Sequence, residues 1–141
     1  MKYSYPVDLE EDEGTILAKL PDFPGATFGE DREDALLRAV DLLESNFIWI
    51  IADREPIPKP SPANGRPLVS PTLIGTLKIA IYEAMRGRGW RKADLARAMA
   101  LNPRQIDRLL DLRHASTLAQ LEAALAACGK RAVIETTDLA A

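Results

Sequence analysis

The 141-residue sequence predicts an α+β fold in two parts, a small strand-and-helix unit followed by an all-α unit. Strand-like alternation marks residues 2–29, helical periodicity dominates from residue 72 to Gly129, and six prolines crowd the stretch between one long helix and the next.

The elements follow in order. Tyr3, Tyr5, Val7 and Leu9 alternate with Lys2, Ser4, Pro6 and Asp8, the period of two of a half-buried strand. An acidic turn, Glu11-Asp12-Glu13-Gly14, places glycine where a hairpin needs positive φ. A second strand over 15–20 puts Ile16, Ala18 and Leu20 on one face. Pro21-Asp22-Phe23-Pro24-Gly25 forms a rigid turn, its Pro-Gly favouring type II geometry, and residues 26–29 add a short third strand. A long helix starts at the N-cap Asp31, with Glu33 and Asp34 suiting the positive end of the helix dipole. Leu36, Val40, Leu43, Phe47 and Ile50 form the stripe expected to cover the sheet, and Phe47 and Trp49 read as core more readily than as partner anchors. The helix is expected to end near Arg54, because Pro56 follows.

Pro56, Pro58, Pro60, Pro62, Pro67 and Pro71, with Asn64-Gly65, mark an extended connector over 56–71, in which Leu68-Val69 can form a brief strand. The domain boundary is expected here, giving units 1–70 and 71–141. In the second unit Ile74, Leu77, Ile81 and Ala84 stripe a first helix that Gly87 and Gly89 stop. A short helix over 92–99 follows. Asn102 as N-cap, Pro103 at the first helical position and Gln105 at the third open the next, expected to run to about Leu112. Thr117 and Gln120 cap a final helix with Leu118, Leu121, Leu125 and Cys128 inward. Gly129 ends it, and residues 131–136 are expected as a terminal strand whose Ala132-Val133-Ile134 can pair with a second copy. A homodimer or higher homo-oligomer through this unit is the expected assembly.

Composition excludes several classes. No apolar run approaches the roughly 18 residues of a membrane span, and no signal peptide is read at the start. One cysteine, Cys128, allows no internal disulfide, so a cytoplasmic setting is expected. One histidine, His114, rules out a multi-histidine metal site or a His-based catalytic pair, and neither metal nor cofactor is expected. Asp8, Asp12, Asp22 and Asp31 invite a metal-dependent nuclease reading, but turn and capping roles explain them better, and no enzymatic activity is expected.

Charge divides the chain. Residues 1–62 carry six basic and fourteen acidic side chains, a net of −8, whereas residues 63–141 carry twelve and seven, a net of +5. Eight of those twelve basic residues lie between Arg86 and Arg113. An acidic half suits a basic protein and a basic half a polyanion. Residues 90–113 read as a helix-turn-helix. Ala96 supplies the small residue its first helix needs, Ile106, Leu109 and Leu110 face inward, and Arg104, Gln105 and Arg108 share the outer face. Arginine forks guanine and glutamine pairs with adenine in the major groove, with Arg91, Lys92 and Arg113 placed to hold phosphates. Ala100 stands where such turns usually have glycine, which implies a strained alanine or a turn without positive φ. The bland alternative is a small helical bundle with a basic surface.

Residues 2–9, Asp12-Glu13-Gly14, Pro21-Asp22-Phe23-Pro24-Gly25-Ala26, Gly29, Glu33-Asp34-Ala35-Leu36 and Ile57-Pro58-Lys59-Pro60-Ser61-Pro62 together resemble HicB-type antitoxins, over essentially the whole chain. The resemblance implies a partial ribonuclease-H-like β-β-β-α-β domain without that enzyme's activity, bound to a HicA-type toxin, a small basic ribonuclease that cleaves mRNA. It implies toxin occlusion by the first domain and repression of the chain's own operon through operator double-stranded DNA; Asp12, Glu13, Asp22 and Phe23 are the candidate toxin contacts. A ligand-sensing helix-turn-helix repressor is the alternative from another class.

Overall fold

The computed structural model describes residues 2–139. Its first half is a three-stranded antiparallel sheet covered on one face by a long helix. β2 (Asp8–Asp12), β3 (Thr15–Lys19) and β4 (Ala26–Gly29) lie in the order β2-β3-β4, below a short strand β1 (Tyr5–Pro6) that leaves the sheet to pair elsewhere. The predicted first strand is thus two strands. The β2–β3 hairpin closes with Asp12 opposite Thr15, and both turn residues have positive φ, Glu13 at 50° and Gly14 at 83°. That is the type I′ conformation that matches strand twist.

Helix α1 (Arg32–Ala52) opens on Asp31, whose carboxylate accepts from the Asp34 backbone N–H at 2.8 Å. The stripe that covers the sheet is rotated from the predicted one. Ala35, Ala39, Leu43, Phe47 and Ile51 are buried, while Leu36, Val40 and Ile50 are half-buried. Small residues face the sheet here because β4 runs hard against the first turn of the helix. A Cβ on Gly29 would stand 2.2 Å from the Ala35 nitrogen, so only glycine fits. Phe47 sits in an aromatic cluster with Tyr5 and Phe23, ring centroids 4.8–5.9 Å apart, as edge and tilted pairs favour. Trp49 corrects the sequence reading: it is 69% exposed, on the side of α1 away from the sheet.

The proline-rich stretch contains no helix, and it is pinned down. Tyr5 donates to the Pro58 carbonyl at 2.7 Å, the Ser61 N–H and hydroxyl donate to the Asp22 carboxylate, and Arg66 pairs with Asp8 at 3.1 Å. Its last residues form β5 (Leu68–Val69), antiparallel to β1 with Tyr5 opposite Val69.

Four helices complete the chain: α2 (Leu73–Gly87), α3 (Lys92–Met99), α4 (Pro103–Leu110) and α5 (Leu118–Ala127). Helix α2 is bonded to the first half along its length. Thr72, its N-cap, donates N–H and hydroxyl to Glu44 at 3.0 and 2.9 Å, Tyr82 donates to the Glu55 carbonyl at 2.6 Å, and Tyr3 donates to Glu83 at 2.7 Å. Burial, then the Glu83 carboxylate, push the Tyr3 phenol well above its usual range, so it stays a donor. Burial opposes ionisation of Glu83, but hydrogen bonds from Lys2 and Tyr3 outweigh it and hold the carboxyl below its usual value.

Residues 131–139 form no strand, which corrects the expected terminal strand. A strand needs a backbone partner, and this segment leaves a helical unit that offers no sheet edge. Val133 and Ile134 are 83% and 58% exposed.

One buried charge organises the helical half. Lys78 on α2 is fully buried, the one charged side chain in the core among the described residues. Its ammonium donates to the carbonyls of Arg108, Asp111 and His114 and to the Ser116 hydroxyl, all within 2.7–2.9 Å. Burial lowers its pKa, with the Asp111 carboxylate opposing. Arg108 lies in the last turn of α4 and Asp111 and His114 beyond it, and each carbonyl also accepts from a backbone N–H, so Lys78 adds a second partner to each and ties the end of α4 to the loop that follows. Lys78→Met should take the charged donor from these acceptors and lower stability by about 2 kcal/mol, since a hydrogen bond to a charged group contributes about 1.5–3 kcal/mol. Urea unfolding followed by circular dichroism measures this, and a loss below about 1 kcal/mol would show that the ammonium is dispensable.

Candidate nucleic-acid and partner interfaces

The α3–α4 corner is built by local chemistry. Helix α3 ends at Ala100 with φ 55° and ψ 43°, the left-handed conformation that alanine tolerates poorly. Of the two outcomes open in the sequence, the strained alanine is the one found. The Leu101 N–H donates to the Ala96 carbonyl at 3.0 Å and closes the turn. Helix α4 then opens on a reciprocal cap. The Gln105 N–H donates to the Asn102 side chain and the Asn102 N–H to the Gln105 side chain, both at 2.9 Å, with Pro103 where no backbone donor is needed.

Ile106, Leu109 and Leu110 are buried, and Arg104, Gln105, Asp107 and Arg108 are exposed. Among the described residues the Arg104 and Arg108 guanidinium groups have no protein partner, so their forks are free to bond outward. Gln105 is less free, because its side-chain oxygen is held in the cap and only its amide donors remain. Arg91 and Lys92 are exposed at the start of α3, and the Lys92 ammonium lies 2.8 Å from Asp107 on α4. This pair crosses between the two helices, and spacing alone did not reveal it. Arg113 sits apart. Its guanidinium donates to the Ser45 hydroxyl on α1 at 3.3 Å, which turns it toward the first half. His114 is exposed, and its carbonyl serves Lys78. Cys128 is buried, and that burial raises its thiol pKa.

The acidic half presents a different surface. Asp12 and Glu13 are exposed at the hairpin tip. Glu10, Leu17 and Phe28 stand side by side across the three strands on the face away from α1, and Phe28 is 50% exposed. Phe23 is only 7% exposed within the aromatic core, and the half-buried Asp22 is bonded to Ser61. The register of β4 with β3 puts Phe28 on this outer face, a placement readable only once strand pairing is known. Asp8, Asp12, Asp22 and Asp31 do not converge, and among the described residues no three His, Cys, Asp or Glu side chains group to hold a metal. No helix among them is long and apolar enough to cross a membrane.

Comparison with known proteins completes the assignment. Residues 2–80 match the family described as HicB_like antitoxin of bacterial toxin-antitoxin system. The chain is 35% identical to Antitoxin HicB 2 of Photorhabdus laumondii over 127 residues, covering 89% of this chain and 91% of that protein. It is 32% identical to Antitoxin HicB of Escherichia coli K12 over 129 residues, 89% and 94% of the two chains. Against Antitoxin HicB of Pseudomonas fluorescens the identity is 28% over 138 residues, 94% and 92% of the two. These proteins are named for neutralising a toxin and not for an enzymatic reaction. With the acidic sheet-and-helix half inside the matched region, the chain belongs to the HicB-like family of antitoxins of bacterial toxin–antitoxin systems.

Proposed function

We propose that the chain silences a HicA-type toxin, a small basic mRNA-cleaving ribonuclease, with residues 1–70, and represses its own operon with residues 71–141. Both partners, an mRNA nuclease and operator DNA, put that work in the cytoplasm. The observation that carries the DNA reading is the outer face of α4. Arg104 and Arg108 project without protein partners, opposite a fully packed inner face, from a helix whose two ends are fixed by the Asn102–Gln105 cap and by Lys78. Arg104 and Arg108 are the base readers. Gln105 contributes amide donors, and Arg91 and Lys92 hold phosphates, Lys92 exchanging Asp107 for the backbone. Arg113 has the weakest claim to a phosphate, because Ser45 already engages it.

On the toxin side, Asp12 and Glu13 supply negative charge and Phe28 an apolar anchor. Asp22 and Phe23 support this surface from behind, one holding the connector and the other filling the core. Ala132-Val133-Ile134 completes the assembly by pairing with the same segment of a second copy, which gives the exposed Val133 and Ile134 a partner.

Three outcomes test this reading. Arg108→Ala should cost about 1–3 kcal/mol on the operator and relax preference at one base position, whereas Lys92→Ala should weaken operator and scrambled duplexes alike. Equal weakening of both duplexes by Arg108→Ala would reassign α4 to phosphates. Phe28→Ala should cost about 2 kcal/mol of toxin affinity, and Asp12→Lys should slow association and flatten its salt dependence, without loss of helicity. Calorimetry and stopped-flow mixing with purified toxin measure both, and native-like values would place the toxin elsewhere. Truncation after Gly129 should give a monomer with weaker operator binding. An unchanged dimer in light scattering would move the interface off the tail.

A further inference from the structure

A cavity of about 780 Å³ opens where the two halves meet. Arg54 just beyond α1, Tyr82 and Arg86 near the end of α2, and Trp90, Arg91 and Lys92 at the start of α3 line it. Four of these six side chains are cationic, and Asp53 is the one carboxylate in the lining. Low-dielectric walls focus a field of one sign inside a concavity, so this one is strongly attractive to anions.

The cations are held and available. Arg54 has φ 56°, and its carbonyl accepts from an Arg86 guanidinium N–H at 2.6 Å. That bond, with the guanidinium 6.0 Å from the Tyr82 ring centroid, fixes Arg86 and leaves its other donors free. Among the described residues neither Arg54 nor Arg91 has a carboxylate partner, and Lys92 pairs only with the exposed Asp107. Asp107 belongs to α4, so the mouth of the cavity adjoins the helix assigned to the bases. It is also open to solvent on one side, as a polyanion passing along the surface requires. A strand whose bases meet Arg104 and Arg108 would continue past Lys92 and Arg91 toward Arg86 and Arg54.

We propose that this junction seats a backbone phosphate of the DNA flanking the bases read by α4, and that Arg86 and Arg54 are DNA contacts. Arg54 belongs to the acidic half, so DNA is gripped by both halves of the chain. The inference rests on the DNA-reading assignment made above.

The test uses the full-length chain and measures binding to operator and scrambled duplexes across a salt series. Arg54→Asn removes the charge while tolerating the left-handed backbone, and Arg86→Gln removes the second. Each should lower the slope of log affinity against log salt by about one and weaken both duplexes by the same factor. Arg86→Lys, which keeps the charge, should keep the slope, and this separates phosphate contact from loss of the bond to Arg54. Toxin binding should be unchanged in all three. Native slopes for Arg54→Asn and Arg86→Gln, with Arg108→Ala still losing base preference, would overturn the phosphate seat and leave base reading standing. A native chain with no preference for operator over scrambled DNA would overturn both.

Discussion

Helix α2 must satisfy two structures at once, and this constraint governs the rest of the molecule. Gly75, Leu77, Lys78, Ile79, Ile81, Tyr82, Ala84 and Met85 are all buried, more than one amphipathic stripe can supply. Toward the sheet half the helix offers hydrogen-bonding groups, Tyr82, Glu83 and the N-cap Thr72. Toward α4 and α5 it offers aliphatic surface and one ammonium. A charge without water is tolerable only when several acceptors surround it. Lys78 meets that demand with three backbone carbonyls and the Ser116 hydroxyl.

Much of this was legible in the sequence, because local chemistry sets element boundaries. Asp31, Thr117 and the Asn102-Pro103-Gln105 run cap helices where their side chains require. Ala100, where such turns usually have glycine, takes the positive φ itself. What sequence could not supply depends on neighbours far along the chain. Lys78 reads as one more solvated lysine until three carbonyls from residues 108–114 arrive around it. The α1 stripe turns toward Ala35 and Ala39 because of how closely β4 approaches, which periodicity does not encode. Trp49 reads as core in the sequence, and the geometry of the helix puts it out. The terminal segment has strand-like residues but no partner within one chain.

The separation of charge is spatial as well as sequential. The acidic hairpin tip and the outer face of α4 lie on different layers, so an anionic and a cationic partner need not compete for one surface. The junction between them is where cations from the two layers meet, Arg54 and Arg86 joined by a backbone carbonyl.

The pairing of β1 with β5 has a consequence for the order in which the chain is made. Tyr5 and its partner Val69 are 64 positions apart, and the sheet half is not closed until the second has been synthesised. At translation rates of about 5–20 residues per second, that interval lasts seconds, far longer than a hairpin needs to form. The β2–β3 hairpin, with its local turn, is therefore in place early, while the backbone of Tyr5 waits for the strand that pairs with it. The newborn chain is thus a partly assembled object whose last closing step falls as α2 begins to emerge.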